Sequence, residues 1–309
     1  MNQRSSGQAV IRWCGKTLTI PEAGAAASQE QRLGNLQAAV DIFNLLLTKL
    51  PDSAEVYNNR GALLQMMKRY DEALASYDRA VALKPDYTNA WFNRGGTLKQ
   101  LNRFEQALAS YDKAIALNPG HAEAHNNRGV LLQQMRRFDE AIASYDHAIA
   151  AKSDHAAAHN NRGTALMSKG DLDGAERMFR RALQLKPDFA DPLHSLAKMH
   201  RYQNASEPDA KEIFALLQKP GISAENKEHL LFTLGKIYDD SGLYDEAFKY
   251  LRQANEIRNT AVSYKSDAVT KLTDGIIEVF SPEFLSRKFA FASDSKSPLF
   301  IVGMPRSGT

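Results

Sequence analysis

Glycine returns every 34 residues through the middle of this chain, at Gly61, Gly95, Gly129 and Gly163. Alanine keeps the same step at Ala73, Ala107, Ala141 and Ala175, and again at Ala80, Ala114, Ala148 and Ala182. An aromatic ring does so at Tyr77, Tyr111, Tyr145 and Phe179. Pro85, Pro119 and Pro187 close three of the units, and Ser153 stands in the place of the fourth proline. A fixed period of this length commits the chain to one supersecondary unit repeated in space, because each copy must bury the same face in the same way.

Each unit reads as two helices. Tyr57, Gly61 and Leu64, like Trp91, Gly95 and Leu98, fall on one helical face. The glycine lets a partner helix come close. A basic turn, Lys68-Arg69-Tyr70-Asp71, leads to a second helix whose opening acids, Asp71 and Glu72, suit a helix N-terminus. Ala73, Tyr77 and Ala80 form the face of that helix, and proline stops its continuation. One such hairpin cannot bury its apolar face alone, so the units must stack. The order aromatic, Gly, Ala, aromatic, Ala, Pro on this period resembles the tetratricopeptide repeat. That resemblance implies an all-α superhelix.

The edges are weaker copies. Ala39, Phe43 and Pro51 fit a first unit over roughly residues 20–53. Residues 190–227 are degenerate, with Pro208 and Pro220-Gly221 interrupting the frame, and the pattern returns with Leu231, Gly235, Tyr238, Ala247 and Ala254. About seven helical hairpins are expected. The domain reading is an N-terminal tail at 1–19, the repeats at 20–261, a connecting helix and linker at 262–298, and the start of another domain at 299–309. The connecting helix is read from Val269, Leu272, Ile276, Ile277 and Phe280.

Composition excludes several classes of function. A formal net charge of +3 over 309 residues argues for neither a nucleic acid nor an anionic membrane as partner. No run approaches the ~18 apolar residues of a membrane span. Cys14 is the single cysteine, so no internal disulfide forms and a reducing compartment fits. Met1–Gly15 has no continuous apolar stretch of the kind a secretory signal needs. The expected location is cytoplasmic.

Asn59, Asn93, Asn127 and Asn161 occupy one place in four successive units, two residues before the glycine. An amide both donates and accepts, so it can pair with a peptide unit. A row of amides one repeat apart is expected to line a concave face and grip an extended protein or peptide without reading its sequence. The row is similar to the asparagine ladder in the repeats of the O-linked N-acetylglucosamine transferases. Arg60, Arg94, Arg128 and Arg162 follow directly, and Asp78, Asp112 and Asp146 recur on the second helices. These are read as an ion-pair lattice, Arg94, Arg128 and Arg162 pairing with Asp78, Asp112 and Asp146 of the preceding unit rather than each Arg with the Asp of its own. His121/His125 and His155/His159 have an i, i+4 spacing that a metal can use. The repeat frame puts His125 and His159 at the packing position of Tyr57 and Trp91, so they are read as structural and no metal is expected.

The last residues carry different chemistry. Leu299–Val302 reads as a short strand, and Gly303-Met-Pro-Arg-Ser-Gly-Thr309 as the loop that follows. Glycines at both ends permit close approach of an anion to backbone N–H groups, and Arg306, Ser307 and Thr309 add donors. The spacing of Gly303 and Gly308 matches a nucleoside-triphosphate loop, but Thr309 stands where that loop needs lysine. Phe300–Thr309 instead resembles the phosphosulfate loop of the sulfotransferases. There it binds the 5′ end of 3′-phosphoadenosine 5′-phosphosulfate (PAPS), as in tyrosylprotein sulfotransferases and bacterial relatives. The resemblance implies an α/β sulfotransferase domain beginning at this strand, with Gly303, Arg306, Ser307, Gly308 and Thr309 meeting PAPS. It also implies sulfuryl transfer to an acceptor hydroxyl. The base, the 3′-phosphate contacts and the acceptor pocket would lie beyond Thr309, so the 309-residue chain alone is expected to be inactive. Two alternatives stay open: a non-enzymatic tetratricopeptide-repeat scaffold, and a repeat-bearing P-loop NTPase.

Overall fold

The computed structural model describes residues 9–205 and 208–261. Contacts divide the chain into two compact units at Ala254/Asn255, and the helices described here lie in the first except for the last residues of the final helix, from Asn255 on. Five regular hairpins follow one another. They are α1 (Ile20–Arg32) with α2 (Leu36–Lys49), α3 (Ala54–Met66) with α4 (Tyr70–Leu83), and α5 (Thr88–Gln100) with α6 (Phe104–Leu117). Next come α7 (Ala122–Gln134) with α8 (Phe138–Ala151), and α9 (Ala156–Lys169) with α10 (Leu172–Leu185). Then come α11 (Ala190–Met199), α12 (Pro208–Leu217), α13 (Ala224–Asp240) and α14 (Tyr244–Ala261). Fourteen helices among the described residues thus make seven successive pairs.

The periodic residues do what their chemistry demands. Tyr77, Tyr111, Tyr145 and Phe179 are fully buried, as are the alanines around them. Each ring lies against the glycine of its own first helix. A Cβ at Gly61, Gly95, Gly129 or Gly163 would fall 2.8, 2.8, 2.6 or 2.7 Å from a ring carbon. Only a missing side chain lets the ring lie there, and each buried ring contributes about 1.5–3 kcal/mol. Caps mark several starts: Ser53 Oγ accepts from the Val56 N–H, Asp171 Oδ1 from Gly174 and Ser223 Oγ from Asn226. His121 takes the same role, Nδ1 accepting from the Ala124 N–H.

The turn inside each hairpin also keeps the period. Gly34, Lys68, Asn102, Arg136 and Gly170 all have positive φ, at 82°, 59°, 57°, 60° and 90°. A first helix ends here in the left-handed region, where glycine and asparagine are at ease and lysine and arginine are strained. The sequence pattern hides this position because its residue type changes from unit to unit.

Two departures from the sequence reading appear. Residues 1–19, expected to be a tail, contain a β-hairpin: β1 (Val10–Trp13) pairs antiparallel with β2 (Lys16–Thr19), Val10 opposite Thr19 and Trp13 opposite Lys16. The turn is Cys14-Gly15, both with positive φ. Ile11 is buried, β1 packs on α2 and β2 on α1. Two four-residue strands hold too little alternation to be read without the helices that cover them. The second departure lies in the degenerate stretch. Pro208 opens α12 at its first position, where its missing N–H costs nothing. The helix α11 packs on α13 more extensively than on α12. Leu193, Ala197, Tyr202, Ile213, Leu230 and Leu234 form the core there.

Candidate functional site

The first helices touch one another directly, α3 on α5, α5 on α7 and α7 on α9, while successive second helices make no comparable contacts. The first helices are therefore the inner row of this stack. Their accessible strip follows i, i+4, i+7, i+11. On α3 it carries Glu55, Asn59, Ala62 and Met66, and on α5 Asn89, Asn93, Gly96 and Gln100. On α7 it carries Glu123, Asn127, Val130 and Gln134, and on α9 Ala157, Asn161, Thr164 and Ser168. The four expected amides share this face: Asn59 is exposed, and Asn93, Asn127 and Asn161 are half-buried.

Part of each amide is already committed within the fold. Asn93 Nδ2 donates to Asn58 Oδ1 at 3.0 Å, and Asn58 Nδ2 donates to Asn59 Oδ1 at 3.3 Å. Two units later, Asn161 Nδ2 donates to Asn126 Oδ1 at 3.0 Å and Asn126 Nδ2 to Asn127 Oδ1 at 3.4 Å. The buried partners Asn58 and Asn126 were missed in the sequence. Their signal was available as the doubled asparagine before the arginine.

The chain of amides breaks where the sequence breaks. Phe92 replaces the buried amide in the third unit, so Asn127 bonds the Tyr111 phenol instead. Elsewhere the ring hydroxyl goes to a glutamine, Tyr77 to Gln65 Oε1 at 3.2 Å and Tyr145 to Gln133 Oε1 at 3.0 Å. Lys99 occupies that glutamine's place beside Tyr111. Burial pushes the Tyr111 phenol up to about 12, with the Asn127 amide opposing, and burial raises Tyr77 and Tyr145 as well.

The arginines form the expected lattice. Arg94, Arg128 and Arg162 donate through Nε to Asp78, Asp112 and Asp146 of the preceding unit, each at 2.6 Å. Arg94 and Arg128 also reach Ser110 and Ser144 of their own unit at 2.7 and 2.6 Å. Arg60 has Asn44 where that Asp should be, and its Nε is buried without an acceptor. Arg180 stands at the aspartate position of the fifth unit and reverses the pairing, donating to the buried Asp209 at 2.7 Å. Asp209 also accepts from the Tyr202 hydroxyl at 2.7 Å.

The histidines serve packing. Trp91 Nε1 donates to the Pro85 carbonyl at 2.9 Å. His125 Nε2 lies 3.0 Å from the Pro119 carbonyl and His159 Nε2 3.1 Å from the Ser153 carbonyl, the same geometry one and two units on. Burial holds His125 below its ordinary range. Among the described residues no group of three His, Cys, Asp or Glu is placed to hold a metal. A cleft of about 380 Å³ opens between α6 and α8, lined by Asp112, His125, Arg128, Glu140 and His147. Its Arg128 is held by Asp112 and its Glu140 by Arg137, so its charges neutralise one another. The expected PAPS residues Gly303, Arg306, Ser307, Gly308 and Thr309, and the connecting helix, lie outside the described residues. No described helix is long and apolar enough to cross a membrane.

Models of the tetratricopeptide repeat match residues 52–120, 110–143, 128–188 and 228–260. An uncharacterized protein of Aquifex aeolicus (strain VF5) is 32% identical over 105 residues, 34% of this chain, and the match spans 14% of that protein's length. A tetratricopeptide repeat protein from Parabacteroides merdae ATCC 43184 superposes with a TM-score of 0.60 at 20% identity, covering 82% of this chain and 96% of that one. PilF of Pseudomonas aeruginosa gives 0.54 at 19% identity, covering 66% and 91%. MamA gives 0.50 at 24%, covering 52% and 94%. At these identities the likeness to solved structures is one of fold. Over residues 52–188 and 228–260, then, the chain is built of tetratricopeptide repeats.

Proposed function

We propose that this chain is a protein-interaction module that holds an extended segment of a partner protein along its inner first helices. The observation that carries this reading is the amide row. Asn59, Asn93, Asn127 and Asn161 stand at one register on four helices that touch in sequence, with polar atoms left over from the fold. Asn59 keeps an unused Nδ2, and Asn93 and Asn161 an unused Oδ1. An extended backbone presents alternating N–H and C=O groups that such donors and acceptors match. The test is the double variant Asn59→Ala/Asn161→Ala against peptides selected from a linear library. Affinity is expected to fall about tenfold, the worth of one or two hydrogen bonds, with helical content retained. Unchanged affinity overturns the reading.

We also propose a second activity, on sequence alone. Phe300–Thr309 supports binding of the 5′-phosphosulfate of PAPS, and hence sulfuryl transfer by a domain that contains this loop. Arg306 would neutralise the phosphosulfate while Ser307, Gly308 and Thr309 donate hydrogen bonds to it. In a protein carrying the complete domain, Arg306→Ala is expected to weaken PAPS binding ten- to a hundredfold, the worth of one charge-assisted contact. Wild-type affinity in that variant, read by calorimetry, removes Arg306 from any such site.

A further inference from the structure

Two features of the inner face are not used by the fold. The first is Gly96. Unlike Gly95 beside it, Gly96 has no ring above it. A Cβ built there meets nothing nearer than Gln65 Nε2 and the Tyr111 hydroxyl, each at 3.8 Å, which is ordinary contact. Its φ is not positive, and the same position holds Ala62, Val130 and Thr164 in neighbouring units. Glycine is among the least favourable residues in a helix interior, and here neither packing nor backbone geometry calls for it. Bare backbone at a half-buried position does permit close approach of another chain.

The second is Asn160. It is 7% exposed, and its Oδ1 accepts no hydrogen bond. The equivalent Oδ1 atoms of Asn58 and Asn126 are each filled by an amide from the next first helix. The corresponding residue on α11 is Ser195, which does not supply a donor. Buried acceptors are ordinarily satisfied, so an empty one beside an accessible face marks a place for a donor from outside. Asn160 lies one turn before Thr164, the counterpart of Gly96, so both features belong to one side of the inner row.

We propose that a single extended, uncharged segment, internal to a partner chain, crosses α5, α7 and α9. Its main chain packs on the bare backbone of Gly96, and one of its N–H groups ends on Asn160 Oδ1. The strip it crosses, from Asn89 to Ser168, carries amides, hydroxyls, small side chains and one acid, Glu123, which Lys152 faces at 4.0 Å, with no lysine or arginine of its own. A terminal carboxylate or an acidic peptide would find no counter-ion on it. This rests on the partner-binding reading above.

The test uses the whole chain and a library of linear peptides displayed with flanking sequence at both ends, so that no free terminus is offered. Selected peptides are titrated against wild type, Gly96→Leu, Gly96→Ala and Asn160→Leu by fluorescence anisotropy, with melting temperatures measured in parallel. Gly96→Leu is expected to weaken binding at least about tenfold while the melting temperature holds or rises. Asn160→Leu is expected to weaken binding several-fold. Should either leucine variant fail to fold, Gly96→Ala, the smallest side chain, is expected to show a smaller loss in the same direction. Peptides that bind all three variants like wild type, yet lose affinity on Asn59→Ala/Asn161→Ala, overturn this path and leave the partner-binding reading standing. A library that yields no binder, or binders indifferent to every substitution, overturns both.

Discussion

At the scale of single residues, the repeat rests on contacts that tolerate little change. Gly129 lies so close to Tyr145 that an added methyl would sit 2.6 Å from the ring. Gly129→Ala is therefore expected to destabilise by about 1–3 kcal/mol, the range for overpacking, despite alanine's better helix propensity; urea denaturation reads it directly. The opposite holds in the turn. Arg136 has a φ of 60° in a place where Gly34 and Gly170 stand in other units. Arg136→Gly is expected to stabilise by about 0.5–1 kcal/mol, since relief of left-handed strain exceeds the added freedom of the unfolded chain. The buried phenols set an alkaline limit. A free phenol titrates near ~10, whereas Tyr111 in the fold is pushed up to about 12. Between those values the folded state keeps a proton that the unfolded state has lost. Stability is thus full below the lower value and falls as pH rises toward the upper one. Tyr77 and Tyr145 are shifted the same way. Denaturant midpoints are expected to decline above about pH 10, and Tyr111→Phe to soften the decline.

At the scale of helices, polar side chains bind one hairpin to the next as much as apolar ones do. The Asp–Arg–Ser bridge and the Asn–Asn bond both cross from one unit to its neighbour. Removing Asn126 leaves Asn161 Nδ2 without its acceptor. Asn126→Ala is expected to cost about 1–3 kcal/mol, the penalty for a lost buried partner. Arg128→Leu should cost less than its two hydrogen-bonding neighbours suggest, because Asp112 is half exposed and returns to water. Equal losses for the two variants in thermal denaturation would show that the arginine lattice is more tightly coupled than its exposure implies. The ion-pair partners were legible in the sequence from the packing order of helices. The buried half of the amide network was not, since a doubled asparagine reads equally as surface polarity until the next helix is seated on it.

At the scale of the molecule, the stack is not uniform. From α3 to α9 every unit is tied to its neighbour by the arginine bridge, but at the sixth unit Leu196 replaces the arginine and Ser195 the asparagine. Arg180 turns instead to Asp209 on α12. Stability in repeat arrays is a sum of unit and neighbour terms, so a weaker joint opens first. Amides of α11 and α12 are expected to exchange with deuterium faster than those of α5–α8; uniform protection across that joint would refute this. The sequence by itself determined the period, the two-helix unit, the buried rings and the aspartate partners of Arg94, Arg128 and Arg162, because those follow from spacing on a helix and from stacking identical units. Tertiary structure alone decided the left-handed turn residues, the β-hairpin on α1 and α2, and which amide atoms remain free on the inner face. Those depend on which neighbour occupies each place, as when Phe92 leaves Asn127 to Tyr111 and Ser195 leaves Asn160 without a donor.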